Sequence, residues 1–233
     1  MRLAVISDIH GNCFALDRVL EDIRQHSIEQ LVCLGDAIQG GSQPAETVQR
    51  LRELGCPVVM GNADDWMLTG IDTSPHETIS EQQLAVREWS LSQLSAEDKA
   101  YIQQVQATIE IPLEAGKKLL CFHGSPHSYD DILLPNTPEE TFRQLLDGFN
   151  VALLTGGHTH TQQLRRLDDA RYFNPGSVGL AYNWQQPEET FRADPWADYA
   201  IVTSEGENLG IEFRRLPYDV QKLLQIIRTS GRP

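Results

Sequence analysis

Ser7-Asp8-Ile9-His10-Gly11-Asn12 follows the apolar run Leu3-Ala4-Val5-Ile6 and precedes a helical pattern from Cys13 to Gln25. The run is short and ends in β-branched residues, so it reads as a buried strand. Phe14, Leu16, Val19, Leu20 and Ile23 then recur at helical spacing. Gly11 suits a turn and Asn12 a helix N-cap. Asp8 and His10 are thereby placed at the carboxyl end of a first strand, where open α/β sheets bind their ligands. Two residues apart on extended chain, both side chains reach the same side of a crevice. A carboxylate and an imidazole so placed suit a divalent transition metal. A capped turn with a hydrogen-bonded Asp and a surface His is the plainer alternative.

The same arrangement recurs downstream. Leu31-Val32-Cys33-Leu34 is a second short apolar run, and it ends in Gly35-Asp36. Pro44 to Leu54 reads as a helix, with Pro in its first turn and Gly55 as its stop. Pro57-Val58-Val59-Met60 reads as a third strand, followed by Gly61-Asn62-Ala63-Asp64-Asp65. Three such βα units predict a parallel sheet with right-handed crossovers and polar strand ends on one edge. Residues 64–105 read as mostly helical, with a capping box at Ser80 and Gln83 and acids opening a helix after Ser95. Thr108–Leu113 and Lys117–Phe122 read as a hairpin, the second strand ending in His123. Val151–Leu154 ends in Gly156-Gly157-His158-Thr159-His160. Further hairpins are expected at 162–173 and 199–215, with a closing helix at 217–229. Residues 180–198 read as a polar and aromatic loop.

The 233 residues are 40% hydrophobic and 22% charged, ordinary for a globular protein that builds its own core. No repeat or linker interrupts them, so a single domain over 1–233 is expected, with the 64–105 helical segment inside it. The net charge of −14 argues against duplex DNA or RNA as a partner, while cations bound in one cleft can still admit a small phosphorylated molecule. Cys13, Cys33, Cys56 and Cys121 lack CxxC spacing and read as buried free thiols of a reducing compartment. Met1-Arg2-Leu3-Ala4-Val5 enters a strand directly without a signal-peptide pattern, and no apolar run is long enough to span a bilayer. A cytoplasmic protein with no membrane association is the expectation.

Five strand ends thus offer Asp8 and His10, Asp36, Asn62, His123, and His158 with His160. None offers Lys or Arg at those positions. Two aspartates, one asparagine and four histidines suit two divalent ions with a shared carboxylate. In this order the motifs Asp8-Ile9-His10, Gly35-Asp36, Gly61-Asn62, His123-Gly124 and Gly157-His158-Thr159-His160 resemble those of the calcineurin-like metallophosphoesterases. Asn174-Pro175-Gly176-Ser177 resembles the compact bacterial and archaeal branch of that family.

The resemblance implies an α/β fold built as a two-sheet β-sandwich flanked by helices. It implies one metal held by Asp8, His10, Asp36 and His160, and a second held by Asp36, Asn62, His123 and His158, with Asp36 bridging. Manganese is the expected ion, with iron or zinc as alternatives. Asp36, Asn62 and His123 would be the catalytic centre of a phosphodiesterase that attacks a small, nucleotide-like phosphorylated substrate with a metal-bridging hydroxide. A dinucleoside polyphosphate hydrolase, a phosphomonoesterase, and a non-catalytic metal-binding scaffold are the alternatives.

Two departures from the family pattern matter. Ala63 stands where many members carry a histidine that protonates the leaving oxygen, so good leaving groups are expected to be favoured. His127 is a replacement candidate, or a loop residue at the rim. Gly40 stands where the protein phosphatases carry a phosphate-gripping arginine, which argues against that activity. Arg192 is a candidate grip, or a solvated surface residue. Tyr182, Trp184, Phe191 and Trp196 of the 180–198 loop either stack on a nucleobase or pack the loop onto the sheet.

Overall fold

The computed structural model describes residues 1–71 and 79–233. Residues 72–78, with His76 and part of the expected 64–105 helical region, lie outside them.

Two mixed sheets stack face to face with helices on their outer faces. In the first, β1 (Arg2–Ile6) lies between β2 (Gln30–Cys33), which is parallel to it, and β8 (Trp196–Glu205), which is antiparallel. The fourth strand, β9 (Asn208–Pro217), pairs with β8 as a long hairpin. The second sheet runs in the order β3 (Ile109–Pro112), β4 (Lys118–Cys121), β5 (Leu153–Thr155), β7 (Ala170–Asn174), β6 (Gln163–Leu167). In it β4, β5 and β7 are parallel, and β3 and β6 are antiparallel to their neighbours.

Period-two alternation explains the layers. Leu3 and Val5 of β1 face inward with Val32, Ala200 and Val202, against Ile111, Leu119, Cys121, Leu153 and Phe173 of the other sheet. Ala4 and Ile6 face outward, against Leu16, Val19 and Leu20 of α1 (Cys13–Ile23) and Val48 and Leu51 of α2 (Pro44–Leu54). On the far side, Leu120, Phe122, Leu154 and Tyr172 bury Phe142 and Leu146 of α6 (Glu139–Leu146). The expected two-sheet fold with flanking helices is therefore the fold observed.

The predicted caps form. The Asn12 side chain accepts the Ala15 N–H at 3.1 Å, and Gly55 closes α2 in the left-handed region. Between α3 (Asn62–Thr69) and α5 (Ala96–Ile102) lies α4 (Glu81–Gln93), capped by Ser80 and Gln83 as expected. The last helix, α7 (Val220–Thr229), starts three residues later than the sequence suggests because Asp219 caps it. Among the described residues, no helix is long and apolar enough to cross a membrane.

Four expectations need correction. Residues 57–60 do not form a full third parallel strand. Val58 bridges Cys33 and Val59 bridges Gln106, after which the chain turns into Gly61 and starts α3 at Asn62. The first sheet is mixed because the distant β8 occupies the free side of β1. The 180–198 loop also ends earlier, since β8 begins at Trp196. Its strand start was hidden by Asp198, a buried acid made tolerable by Arg215, whose guanidinium donates to it at 2.9 and 3.0 Å. Finally, Cys56 is only half-buried, while Cys13, Cys33 and Cys121 are buried; all four are free thiols.

Candidate metal centre

The ends of β1, β2, β4 and β5 and the start of α3 meet at one edge of the sandwich. There the chain continues past each strand without losing its backbone pairing. The N–H groups of Asp8, His10 and Gly11 donate to the carbonyls of Gly35, Asp36 and Ala37 at 3.0, 2.8 and 2.8 Å. Two further bonds tie one sheet to the other. Asp8 Oδ2 accepts the His158 N–H at 3.1 Å, and His123 Nδ1 donates to the Leu34 carbonyl at 2.7 Å.

Five of the seven candidate ligands stand at positive φ: Asp8 at 55°, His10 at 49°, Asp36 at 51°, His158 at 65° and His160 at 54°. Such conformations cost non-glycine residues on the order of 1 kcal/mol each and persist where surrounding structure dictates them. Their concentration at one sheet edge turns these side chains towards a common point instead of along the strand faces.

That point is buried and rich in lone pairs. His10 Nδ1 lies 2.9 Å from the Gln39 carbonyl and His160 Nδ1 lies 2.6 Å from the Leu180 carbonyl. A carbonyl only accepts, so Nδ1 carries the proton in both rings and the Nε2 atoms face inward. Those two Nε2 atoms are 3.0 Å apart, and His160 Nε2 is 3.2 Å from Asp8 Oδ1. Asp8 Oδ1 is buried and has no hydrogen-bond partner. In the other half, Asn62 Oδ1 lies 3.0 Å from His123 Nε2 and 3.1 Å from His158 Nδ1. Asp36 Oδ2 lies between the halves, 3.4 Å from His123 Nε2 and 3.7 Å from His10 Nε2.

Charge follows this geometry. Burial opposes ionisation of both carboxylates, yet His160 and His123 hold Asp8 below its ordinary value, and His123 and His10 hold Asp36 well below it. Burial also opposes charge on the rings, but Asp36 and Asp8 push His123 up to about 10, and Asp8 raises His160. Burial leaves His10 lowered, and burial with the neighbouring His123 lowers His158 to about 4. Each half thus has one imidazole whose charged form a carboxylate favours and one whose charged form burial disfavours. Buried carboxylates surrounded by imidazoles favour positive charge here, and a divalent cation would supply it. Asp8, His10 and His160, and again Asp8, Asp36 and His123, offer ligand atoms within 4.8 Å of one another. Imidazole nitrogens with carboxylate and amide oxygens form a donor set that fits manganese, iron or zinc.

Residues beyond the sequence-predicted set support the centre. Asp64, in the first turn of α3, accepts the N–H groups of Ala37 and Ile38 at 2.9–3.1 Å. The motif glycines have a spatial role as well. A Cβ on Gly61 would lie 2.1 Å from Asp36 Oδ1, and one on Gly157 would lie 2.0 Å from Ser7 Oγ. The signal in the sequence was the Gly directly before Asp36, Asn62 and His158 and the acid two residues after Asn62.

The centre opens into a cleft of about 730 Å³ lined by Trp66, Ile132, Leu134, Tyr182, Trp184 and Phe191 among others. Of the four loop aromatics, Trp196 lies elsewhere, under the Arg215 guanidinium at 4.5 Å. His127 packs against Phe149 in a separate depression that shares Asp130 with the cleft. Arg192 is exposed and its backbone pairs with the Gln186 side chain; it is not among the residues lining the cleft.

Comparison with known proteins agrees with this geometry. The calcineurin-like phosphoesterase superfamily domain matches residues 1–194. An uncharacterised protein of Methanocaldococcus jannaschii is 29% identical over 248 residues, covering 99% of this chain and 93% of that protein. Phosphodiesterase YfcE of Escherichia coli K12 is 29% identical over 194 residues, covering 77% of this chain and 80% of its own. The crystal structure of a metallophosphoesterase from Sphaerobacter thermophilus superposes with a TM-score of 0.77 at 24% identity, covering 100% of this chain and 95% of that one. The chain belongs to the calcineurin-like phosphoesterase superfamily.

Proposed function

We propose that the protein is a metal-dependent phosphodiesterase of the cytoplasm that hydrolyses a small, nucleotide-like phosphorylated substrate at a two-metal centre. The observation that carries this reading is the convergence of seven nitrogen- and oxygen-bearing side chains from five chain segments on one buried point. Asp8, His10, Asp36 and His160 would hold one divalent ion, and Asp36, Asn62, His123 and His158 the other. Asp36 suits the shared position, since its Oδ2 reaches His123 and His10 almost equally while Asp8 Oδ1 leans towards His160. When bound, such ions draw in the ester oxygens and acidify a water nucleophile.

The chain's own part is to hold the donors still. Carbonyls of Gln39, Leu34 and Leu180 fix three imidazoles in the tautomer that presents Nε2 to the cleft. The Ala63 N–H fixes Asp36 by donating to its Oδ1 at 2.9 Å. Asn62 lines the cleft beside Asp36, where its amide could meet a phosphoryl oxygen. Gly40 leaves no guanidinium fork for a phosphoprotein, and the free thiols fit a reducing compartment. The similarity to YfcE favours a diester over a monoester.

The test uses metal-stripped protein with bis-p-nitrophenyl phosphate and p-nitrophenyl phosphate, with and without manganese, and Asp36→Ala beside it. Manganese-dependent diester cleavage that vanishes in Asp36→Ala is the expected result. Cleavage of the monoester alone would make the protein a phosphatase. Confirmed metal binding with no turnover under manganese, iron or zinc would leave a scaffold.

A further inference from the structure

The segment that begins after Leu180 is built to hold aromatic rings open. Tyr182 bridges Ala193, and the Asp194 N–H donates to the Ala181 carbonyl at 2.7 Å, which pins the base. The Gln186 side chain accepts the Arg192 N–H and donates to its carbonyl, both at 3.0 Å, which pins the tip. Phe191 then meets Tyr182 edge to face at 5.2 Å, and Tyr182 lies 5.0 Å from the His160 ring. None of Tyr182, Trp184 and Phe191 joins a hydrophobic core cluster, yet all three line the cleft. Phe191 is 50% exposed, and so packing of the loop onto the sheet does not account for it.

The second observation concerns charge. Among the described residues lining this cleft there is no Lys or Arg, while Asp36 and Asp130 are present. Residues 72–78 contain no Lys or Arg in their sequence either, and the whole chain carries a net charge of −14. Polyphosphate chains are usually gripped by guanidinium forks or lysines. Among the described residues lining the cleft, none is a lysine or arginine placed to neutralise a second phosphoryl group, so charge compensation falls to the metal centre.

We propose that Tyr182, Trp184 and Phe191 form a subsite for a flat aromatic ring on a singly charged phosphodiester, and that the cleft selects against polyphosphate chains. The proposal rests on the phosphodiesterase reading and narrows its substrate class. The ring lies against the aromatic wall while the phosphoryl group sits at the metal centre. One face of the wall begins at His160, so the two subsites adjoin.

Three diesters with one charge and one common leaving group test it: the methyl, phenyl and thymidine-5′ esters of p-nitrophenyl phosphate. With manganese-loaded protein, kcat/KM for the ring-bearing esters should exceed that for the methyl ester by about tenfold, mainly through KM, as expected for one stacked ring. A gain confined to the thymidine ester assigns the ring to a nucleobase; an equal gain for phenyl assigns it to any aryl group. The ring-to-methyl ratio should fall towards one in Trp184→Ala and Phe191→Ala and return in Phe191→Tyr. Diadenosine tetraphosphate, which has bases but several charges, should be hydrolysed more slowly than the thymidine diester. Equal rates for all three esters in the wild type, an unchanged ratio in both alanine variants, or faster cleavage of the tetraphosphate would each overturn the proposal and leave the phosphodiesterase reading intact. No metal-dependent release from any ester, with metal binding measured, would overturn both.

Discussion

Asp36 and Asp64 fix one another's backbones: Asp36 Oδ1 accepts the Ala63 N–H at 2.9 Å, and the Asp64 carboxylate accepts the N–H groups of Ala37 and Ile38 at 2.9–3.1 Å. The two acids are buried, and burial together with the charge of Asp36 pushes Asp64 up to about 7. Asp64 touches no ligand atom of the centre. It acts by setting the loop after β2, on which Asp36 is held at positive φ. Asp64→Ala is expected to weaken manganese binding by about 10- to 100-fold, the usual cost of losing a residue that orients a ligand. Asp64→Asn, which keeps one acceptor oxygen, should fall between. Calorimetric titration of the folded variants checks this, and an unchanged manganese affinity in Asp64→Ala would refute it.

The glycine before His158 is the second place where the centre depends on a residue that binds nothing. A methyl group on Gly157 would stand 2.0 Å from Ser7 Oγ and 2.7 Å from Asp8 Oδ2, inside the bond network that joins the two sheets. Gly157→Ala should therefore cost about 1–3 kcal/mol of stability through overpacking and displace Asp8. Gly210→Ala, whose added Cβ would meet only Thr203 at 3.7 Å, serves as the comparison. Urea unfolding with and without manganese separates the two effects. Gly157→Ala should lose most of the metal-dependent stabilisation that Gly210→Ala retains.

These residues show where the sequence could be read and where it could not. Strand ends and helix caps are local, so the period-two run Leu3–Ile6 and the cap at Asn12 were visible in the chain itself. All seven candidate ligands were visible for the same reason, because each follows a local apolar run. Sheet order depends on distant pairing, and nothing near Val58 records that β8, over a hundred residues later, takes the open side of β1. Asp64 looked like a helix-opening acid, which it also is; its bond to Ala37 and Ile38 requires the fold. The same holds for Trp196, which belongs to a strand because Arg215 of β9 neutralises Asp198 two residues on.

A different network sets the pH dependence of stability. Asp22 of α1 accepts from the Tyr199 hydroxyl at 2.6 Å and from Arg214 Nε and Nη2 at 3.1 and 2.9 Å, tying the helix to β8 and β9. Burial opposes the charge, but Tyr199 and Arg214 outweigh it and hold the Asp22 carboxyl below its ordinary value of 3.8. A depressed carboxyl contributes stability above its unfolded-state pKa, and that contribution is lost as pH falls through the folded-state pKa. Asp22→Asn should accordingly lose about 2–3 kcal/mol at pH 7, the scale of hydrogen bonds to a charged group. The gap to wild type should shrink steadily below about pH 4. Urea denaturation across that range checks the sign, and a gap that widens on acidification would contradict it.

Ala63 governs how far the reaction depends on its leaving group. It lines the cleft directly after Asn62, and its backbone N–H is already committed to Asp36, so its methyl group brings no proton to the departing oxygen. His127 lies in the neighbouring depression with its ring against Phe149. Without a donor, the leaving oxygen must depart as an unprotonated phenoxide, and kcat/KM should fall steeply as leaving-group pKa rises from p-nitrophenol to unsubstituted phenol. Ala63→His puts an imidazole beside the centre, and general acid catalysis of this kind contributes about 10²–10⁴-fold when geometry allows. The variant should therefore cleave diesters of poor leaving groups at least about tenfold faster while changing p-nitrophenyl esters little, which flattens the slope. The rates of a series of substituted phenyl esters, measured for wild type, Ala63→His and His127→Ala, decide the matter. A flat slope in the wild type that steepens in His127→Ala would show that His127 already donates the proton. Equal, steep slopes in wild type and His127→Ala, with a shallower one in Ala63→His, are the expected outcome.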